Sequence, residues 1–91
     1  MKTRIALVGI IVEVPEAVEK LNRILHEYRE FVIGRMGLPQ HRRNLSIISV
    51  VLDAPESIIS ALAGKLGMLE GLTVKTVYSK YSDPEEANSN Q

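Results

Sequence analysis

Two carboxylates are the first residues in this chain whose type and placement could do chemistry. Glu13 and Asp53 each follow a run of aliphatic residues, and each opens a similar tetrapeptide, "EVPE" (13–16) and "DAPE" (53–56). Paired carboxylates can act as general acid and general base. Each residue also has a simpler explanation, because an acidic residue at this position can begin a helix. The sequence holds no Ser/His/Asp set, Gly-rich phosphate loop or metal-binding motif, so we expect no catalytic residue.

Basic residues form the second candidate site. Arg35, His41, Arg42 and Arg43 could converge on a carboxylate or a phosphate. The alternative for His41 is a solvated loop. The arginines have no aromatic residues between them, so we do not expect direct nucleic-acid binding. We expect His26 to be a solvated residue on the charged side of a helix, without the neighbours that a metal ion needs.

The composition narrows the classes of protein. Ninety-one residues suffice for one domain, and eleven basic residues balance eleven acidic ones, so net charge favours neither nucleic acid nor membrane as a partner. The chain has no cysteine, which excludes disulfides, iron–sulfur ligation and thiolate zinc sites. The start "MKTRIALVGIIVEV" is basic and then apolar like a signal peptide, but Glu13 and Pro15 interrupt it. We therefore expect a first strand and a cytoplasmic protein.

The carboxylates belong to a repeated pattern that predicts the fold. "IALVGIIV" (5–12) matches "LSIISVVL" (45–52), and both have the composition and length of strands. Helical periodicity follows each run. The first predicted helix covers 15–29 and starts near Val14 or Pro15. The second starts at a capping box formed by Asp53 and Glu56 and ends near Gly71. Two more strands are predicted at Phe31–Leu38 and Leu72–Tyr81. The order β-α-β-β-α-β predicts an α+β ferredoxin-like sandwich, with four antiparallel strands and both helices on one face.

The two central strands predict association between copies. The first and third strands lie in the middle of this fold, and both alternating sets of their side chains are apolar. Helices cover only one face, so a second copy is expected to cover the other, through the sheet face or strand edges, as a dimer or tetramer. The alternative is that the tail folds back over this face. That tail, 82–91, is polar and predicted to be disordered. Residues 1–81 are therefore predicted to form the single domain. Within it, residues 39–44 are a polar connection between the second and third strands.

The stretch "GRMGLP" (34–39) has two interpretations. Gly34 and Gly37 lie within a predicted strand, where glycine often marks a bulge or a close backbone approach. In one interpretation they form a backbone cradle for a small ligand beside Arg35. In the other, they let an edge strand pack tightly against a neighbouring subunit.

Three segments carry a family resemblance. "FVIGRMGLP" (31–39), "LSIISVVLDAP" (45–55) and "ALAGKLGMLEGLTVKTVYSK" (61–80) resemble the iron-only hydrogenase system regulators, over residues 4–80. That family is similar to ACT-like ligand-sensing domains and to the C-terminal domain of the nickel-responsive repressor, and some members carry the label CopG family transcriptional regulator. The resemblance implies a role beside iron-only hydrogenase maturation or expression. It does not imply direct DNA binding or nickel binding, because this chain has no ribbon–helix–helix segment, two histidines and no cysteine.

The same resemblance suggests where a ligand would bind. In ACT domains the effector binds near the first strand–helix corner at a subunit interface, which corresponds here to Glu13, Val14, Pro15 and Glu16. The glycine typical of amino-acid-binding versions is missing from this corner, so we do not expect an amino-acid ligand.

The sequence as a whole predicts a cytoplasmic, homo-oligomeric, ACT-like regulatory module without a cofactor. It would sense a small molecule or dock on a protein partner. The alternatives are a small enzyme of the dimeric α+β barrel type, with a pocket between helices and sheet, and a nucleic-acid binder that uses Arg35, Arg42 and Arg43.

Overall fold

A computed structural model describes residues 2–40 and 43–80 of the protein. The elements are, in chain order, β1 (Arg4–Val12), α1 (Ala17–Glu27), a short 3₁₀ turn (Arg29–Phe31), β2 (Val32–Gln40), β3 (Leu45–Ala54), α2 (Glu56–Gly67) and β4 (Leu72–Tyr78). The expected anion ligands His41 and Arg42 and the expected disordered tail 82–91 lie outside the described residues.

The sheet has the predicted ferredoxin-like topology. Its four strands lie in the order β2-β3-β1-β4, and every neighbouring pair is antiparallel. The first and third strands are therefore central, as the sequence predicted.

The core lies between one sheet face and the two helices. Alternate residues of β1 and β3 are at most 6% exposed, namely Ala6, Val8, Ile10, Val12, Ile48, Val50, Leu52 and Ala54. The helices add one apolar stripe each, Ala17, Leu21 and Leu25 from α1 and Ile59, Leu62 and Leu66 from α2. Burying one large aliphatic side chain contributes about 1.5–3 kcal/mol, so these two stripes hold the helices to the sheet.

The first helix starts later and ends earlier than predicted. Residues 14–16 form a turn in which the Ala17 N–H donates to the Val14 carbonyl at 2.9 Å, and the helix proper begins at Ala17. Glu16 occupies the capping position without a side-chain cap hydrogen bond, in keeping with the weak capping ability of glutamate. The predicted helical segment beyond Glu27 is the 3₁₀ turn instead.

The capping box predicted for the second helix is wrong. Asp53 pairs with Ile5 and Ala54 pairs with Arg4, so β3 continues two residues past the predicted end. The antiparallel ladder holds Asp53 in the sheet, and α2 begins at Glu56 after an extended Pro55 (φ −58°, ψ 148°). The helix ends at Gly67, and Gly71 (φ 86°) lies just before β4 instead of ending α2.

The two helices also contact each other through Lys65. Its Nζ lies 3.5 Å from Glu27 Oε1 and 5.0 Å from the centre of the Tyr28 ring. The hydrogen bond with Tyr28 and the negative charge of Glu27 raise the pKa of Lys65 above its usual value. Among the described residues, neither helix has the length and apolarity needed to cross a membrane.

Candidate functional site

A cavity of about 300 Å³ lies between α1 and the edge strand β2. We call it the arginine groove and define it by its lining residues, Asn22, Leu25, His26, Arg29, Val32, Arg35 and Val50. The helical repeat positions part of one wall, because Asn22 and His26 are four residues apart on one face of α1, and Arg29 follows from the 3₁₀ turn. Arg35 reaches the groove from β2, where it pairs with Val50 on the helix side of the sheet.

The groove carries positive charge without an acidic residue in its lining. Arg35 Nη2 donates to Asn22 Oδ1 at 2.6 Å, and Arg29 Nη1 donates to the His26 carbonyl oxygen at 3.0 Å. Within residues 2–40 and 43–80, neither guanidinium lies within 4.0 Å of a carboxylate oxygen. A guanidinium has five N–H donors, so both arginines keep donors that a ligand could use.

Two residues of this groove received other interpretations from the sequence. His26 is exposed, as expected, but it also borders the groove. Arg35 was grouped with the loop arginines, whereas the structure places it beside α1. The signal in the sequence is the four-residue spacing of Asn22 and His26, which puts two polar side chains on one face of α1, with Arg29 three residues farther on.

The strand–helix corner that the ACT resemblance indicated contacts β4. The Glu13 N–H donates to the Gly71 carbonyl at 2.7 Å, and the Thr73 hydroxyl donates to Glu13 Oε2 at 2.9 Å. Val14 packs against Gly71, and Pro15 and Glu16 form the exposed turn that follows. The backbone N–H and the carboxylate of Glu13 are therefore already hydrogen-bonded within the chain.

The structure separates the two halves of the predicted ligand set. The corner residues Glu13–Glu16 adjoin β4 at one edge of the sheet, whereas Gly34, Arg35 and Gly37 belong to β2 at the other edge. The register shift that marks a bulge lies between Val32 and Gly34. Nothing lies within 4 Å of the place where a Cβ on Gly37 would stand, so that glycine makes no close approach within the chain.

The predicted anion set is also divided. Arg35 pairs with Val50, whereas Arg43 is exposed in the turn beyond the Gln40–Leu45 pair, five pairs farther along the ladder. At about 3.3 Å per residue, this separates the two backbones by roughly 17 Å or more.

The two strand-end carboxylates lie at opposite ends of the sheet. Asp53 pairs with Ile5, and Glu13 lies eight residues farther along the direction of β1. This places the two residues about 26 Å apart, because a strand rises about 3.3 Å per residue. They cannot act as one acid–base pair within a single chain.

The sheet face opposite the helices is mainly apolar, as the sequence predicted, and no described residue covers it; Lys75 and Thr73 of β4 are polar residues at its margin. We call this surface the outer face. Seven of its side chains are 38–68% exposed, namely Ile5, Leu7, Ile11, Met36, Leu38, Ile47 and Val77, and Val51 is half-buried among them. Gly9 and Ser49 pair with each other at its centre, between the Leu7–Val51 pair and the Ile11–Ile47 pair.

Comparison with known protein families identifies the family of this chain. A family model described as TM1266-like, iron-only hydrogenase system regulator, matches residues 4–76. The chain belongs to this family. The match runs from β1 into β4, so it includes the arginine groove and most of the outer face. No protein with a curated description matches the chain.

Solved structures agree with this assignment. The uncharacterized protein TM1266 from Thermotoga maritima is 37% identical, with a TM-score of 0.82 over 86% of this chain and 99% of that one. Two others share the fold alone. The C-terminal domain of MgtC from Mycobacterium tuberculosis is 14% identical (TM-score 0.64, 89% and 93% of the chains), and the PII-like protein CPII from Thiomonas intermedia K12 is 15% identical (TM-score 0.50, 92% and 98%).

This member of the iron-only hydrogenase regulator family thus presents two distinct surfaces on one sheet. The helix side carries the arginine groove, and the opposite side carries the outer face. Val50 and Val51, adjacent in β3, contribute to the groove and the outer face respectively.

Proposed function

We propose that this protein is a homo-oligomeric regulatory module of the iron-only hydrogenase system, which senses a small molecule and catalyses no reaction. The copies associate through the outer face. The exposed aliphatic side chains of that face are the observation that carries the proposal. Monomeric proteins rarely leave a contiguous apolar surface of this kind in water.

The size of the outer face suits a dimer. Four strands about 4.8 Å apart and a nine-residue β1 give a sheet of about 19 Å by 30 Å, or roughly 570 Å² in flat projection. Side-chain relief increases the accessible area beyond this value. Stable interfaces bury about 800 Å² on each partner, so a second copy of the chain has the surface needed to cover the face.

The relief of the outer face also favours a second sheet. Gly9 and Ser49 form the low centre of a row that ends at Met36 on β2 and Lys75 on β4, and the Leu7–Val51 and Ile11–Ile47 pairs form a ridge on each side of this low row. Two packed sheets interdigitate the side chains of their facing surfaces. A ridge of one copy would therefore seat in the low row of the other.

The placement of the acidic groups supports regulation over catalysis. Glu13 is hydrogen-bonded to Thr73 and lies about 26 Å from Asp53. The arginine groove can bind and orient a ligand, but it has no carboxylate in its lining to act as a general base. The family, moreover, is described as a regulator.

Light scattering coupled to size-exclusion chromatography tests the association. We expect the wild-type chain to have at least twice its single-chain mass of 10.1 kDa. Leu7→Lys should lower the mass toward that of one chain, because the dimer would bury an unpaired ammonium group. The monomer should still fold, since Leu7 is 43% exposed without a partner.

Met68→Lys is the matched control for this experiment. Met68 is also an exposed apolar residue, at 86%, but it follows α2 and lies off the outer face. It should retain the wild-type mass. A wild-type protein of single-chain mass at high concentration would contradict the proposed assembly, and so would equal loss of mass in both variants.

A further inference from the structure

We propose that the arginine groove binds a small organic acid, a carboxylate attached to a short aliphatic body. This names the ligand class for the sensing role, and so it rests on the proposed function. The groove lies on the helix side of the sheet, away from the outer face, and is formed within one chain.

The charges of the groove point to an anion from outside the chain. Outside the groove, Arg4, Arg23 and Lys65 each lie within 4.0 Å of a carboxylate, those of Glu56, Glu19 and Glu27 respectively, whereas Lys20 and Lys75 lie within 4.0 Å of no described carboxylate. Arg29 and Arg35 have no such carboxylate in the part of the chain that the structure describes. Two guanidinium groups at one cavity without an acid are a suitable receptor for a carboxylate, which accepts paired N–H bonds from arginine.

Two neighbouring groups hold these arginines in place. Asn22 Oδ1 accepts from Arg35 Nη2 at 2.6 Å, which links β2 to α1 across the groove. The His26 carbonyl accepts from Arg29 Nη1 at 3.0 Å, at the end of the same helix. Each bond uses one of five donors, so the arginines are oriented but not saturated, and the ordering cost of binding is reduced.

The aliphatic lining gives the ligand its second requirement. Leu25 is 5% exposed, Val50 is fully buried and Val32 is half-buried, and all three border the same cavity as the arginines. A cavity of about 300 Å³ is at the lower end of the range for small-molecule sites. Val32 is the most accessible of the three, so the aliphatic part of a carboxylate with four or so carbons would contact Val32 and the exposed part of Leu25, whereas an inorganic anion would leave them without contacts.

An NMR titration with sodium pentanoate tests the site directly. We expect saturable shifts of the backbone amides of Asn22, His26, Arg35 and Val50, with a Kd on the order of 1 mM for so small a probe. Pentanamide has the same size without the charge and should bind at least about tenfold more weakly, because its hydrogen bonds with the arginines lack the contribution of a charged acceptor. Inorganic phosphate should also bind more weakly, since it has no aliphatic body.

Three variants decide which groups bind. Arg35→Gln and Arg29→Gln should each weaken pentanoate binding about tenfold, since each removes one charged donor group. Arg23→Gln, on α1 but outside the groove and paired with Glu19, should bind like the wild type. Amide dispersion in the same spectra shows whether each variant is folded, and the second groove variant serves if the first is not.

The possible failures separate this proposal from the proposed assembly. No saturable shift with pentanoate, equal binding of pentanamide, stronger binding of phosphate, or equal weakening by Arg23→Gln would each overturn the organic-acid site. Leu7→Lys should bind pentanoate with the wild-type affinity, because the groove belongs to a single chain. Binding by a wild-type monomer would support the site even while the assembly proposal failed.

Discussion

At the scale of the single residue, Gly71 decides how β4 meets the first strand–helix corner. Its φ of 86° is a conformation that residues with a side chain rarely adopt. A Cβ at this position would stand 2.6 Å from the Val14 Cβ, well inside van der Waals contact. The absence of a side chain lets the Gly71 carbonyl come within 2.7 Å of the Glu13 N–H. A glycine is therefore required here by both conformation and space.

Gly71→Ala should lower the free energy of unfolding by about 2 kcal/mol or more. The left-handed backbone costs an alanine about 1–2 kcal/mol, and overpacking against Val14 adds about 1–3 kcal/mol unless the corner shifts. Urea denaturation at one fixed chain concentration measures the difference.

Gly64→Ala is the matched control for that substitution. Gly64 lies within α2, and nothing is within 4 Å of its Cβ position. Alanine should raise the free energy of unfolding there by about 0.5–1 kcal/mol, because glycine loses more backbone entropy in a helix. Equal effects of the two substitutions would show that Gly71 has no special role.

At the scale of the element, α2 depends on burial more than on its own helical tendency. It includes Gly64 and ends at Gly67, and no side chain caps its start. Its Ile59, Leu62 and Leu66 are nevertheless fully buried against the sheet. Tertiary packing supplies most of the stability of such short helices.

Leu62→Ala should therefore cost about 2–5 kcal/mol of unfolding free energy, through lost burial and the cavity left in the core. Ser60→Ala, two residues earlier on the exposed side of α2, should change stability by no more than about 0.5 kcal/mol. Thermal and urea unfolding of both variants compare them. A small loss for Leu62→Ala would mean that α2 contributes little to the core.

The elements and their order could be predicted from the sequence because their signals are local. The repeated strand-then-proline pattern and the helical stripes of Leu21, Leu25, Leu62 and Leu66 led to the correct topology. Asp53 was misassigned because pairing with Ile5, a residue far away in the chain, keeps it in β3. A local capping pattern does not show that strand pairing with a distant residue is favoured over helix capping.

The candidate site was harder to predict for the same reason. The arginine groove exists only because the sheet order places β2 at an edge, where Arg35 meets Asn22 of α1. Its residues come from α1, β2, β3 and the turn between α1 and β2, and their mutual distances depend on packing. The apolar outer face, by contrast, follows directly from the alternating residues of β1 and β3, and it was predicted correctly.

At the scale of the whole molecule, a substitution in the low row at Gly9 and Ser49 can test the self-association without destabilising the fold of the single chain. The nearest atom to a Cβ on Gly9 is the Lys75 carbonyl oxygen, 3.8 Å away, so a valine fits the single chain and suits a strand. In the proposed assembly the same valine would fill the space into which a partner's ridge seats.

Gly9→Val should weaken self-association by about tenfold or more while leaving the monomer folded, because overpacking an interface costs about 1–3 kcal/mol. Sedimentation equilibrium measures the association constant, and circular dichroism monitors the fold. Gly37→Val is the control, since Gly37 lies on the helix side of β2 with open space around it. Unchanged association in Gly9→Val would argue against face-to-face packing.

The free edge of β2 also limits how this sheet could grow. An unpaired strand edge is a template on which further chains can add as in fibrils, and Met36 and Leu38 make this edge apolar. The bulge between Val32 and Gly34 interrupts the template at one end, and Pro39, which has no N–H to offer, interrupts it at the other. On β2 only Gly34–Leu38 is left as a regular edge, a stretch of about 17 Å that restricts runaway polymerisation through this strand without preventing reversible pairing.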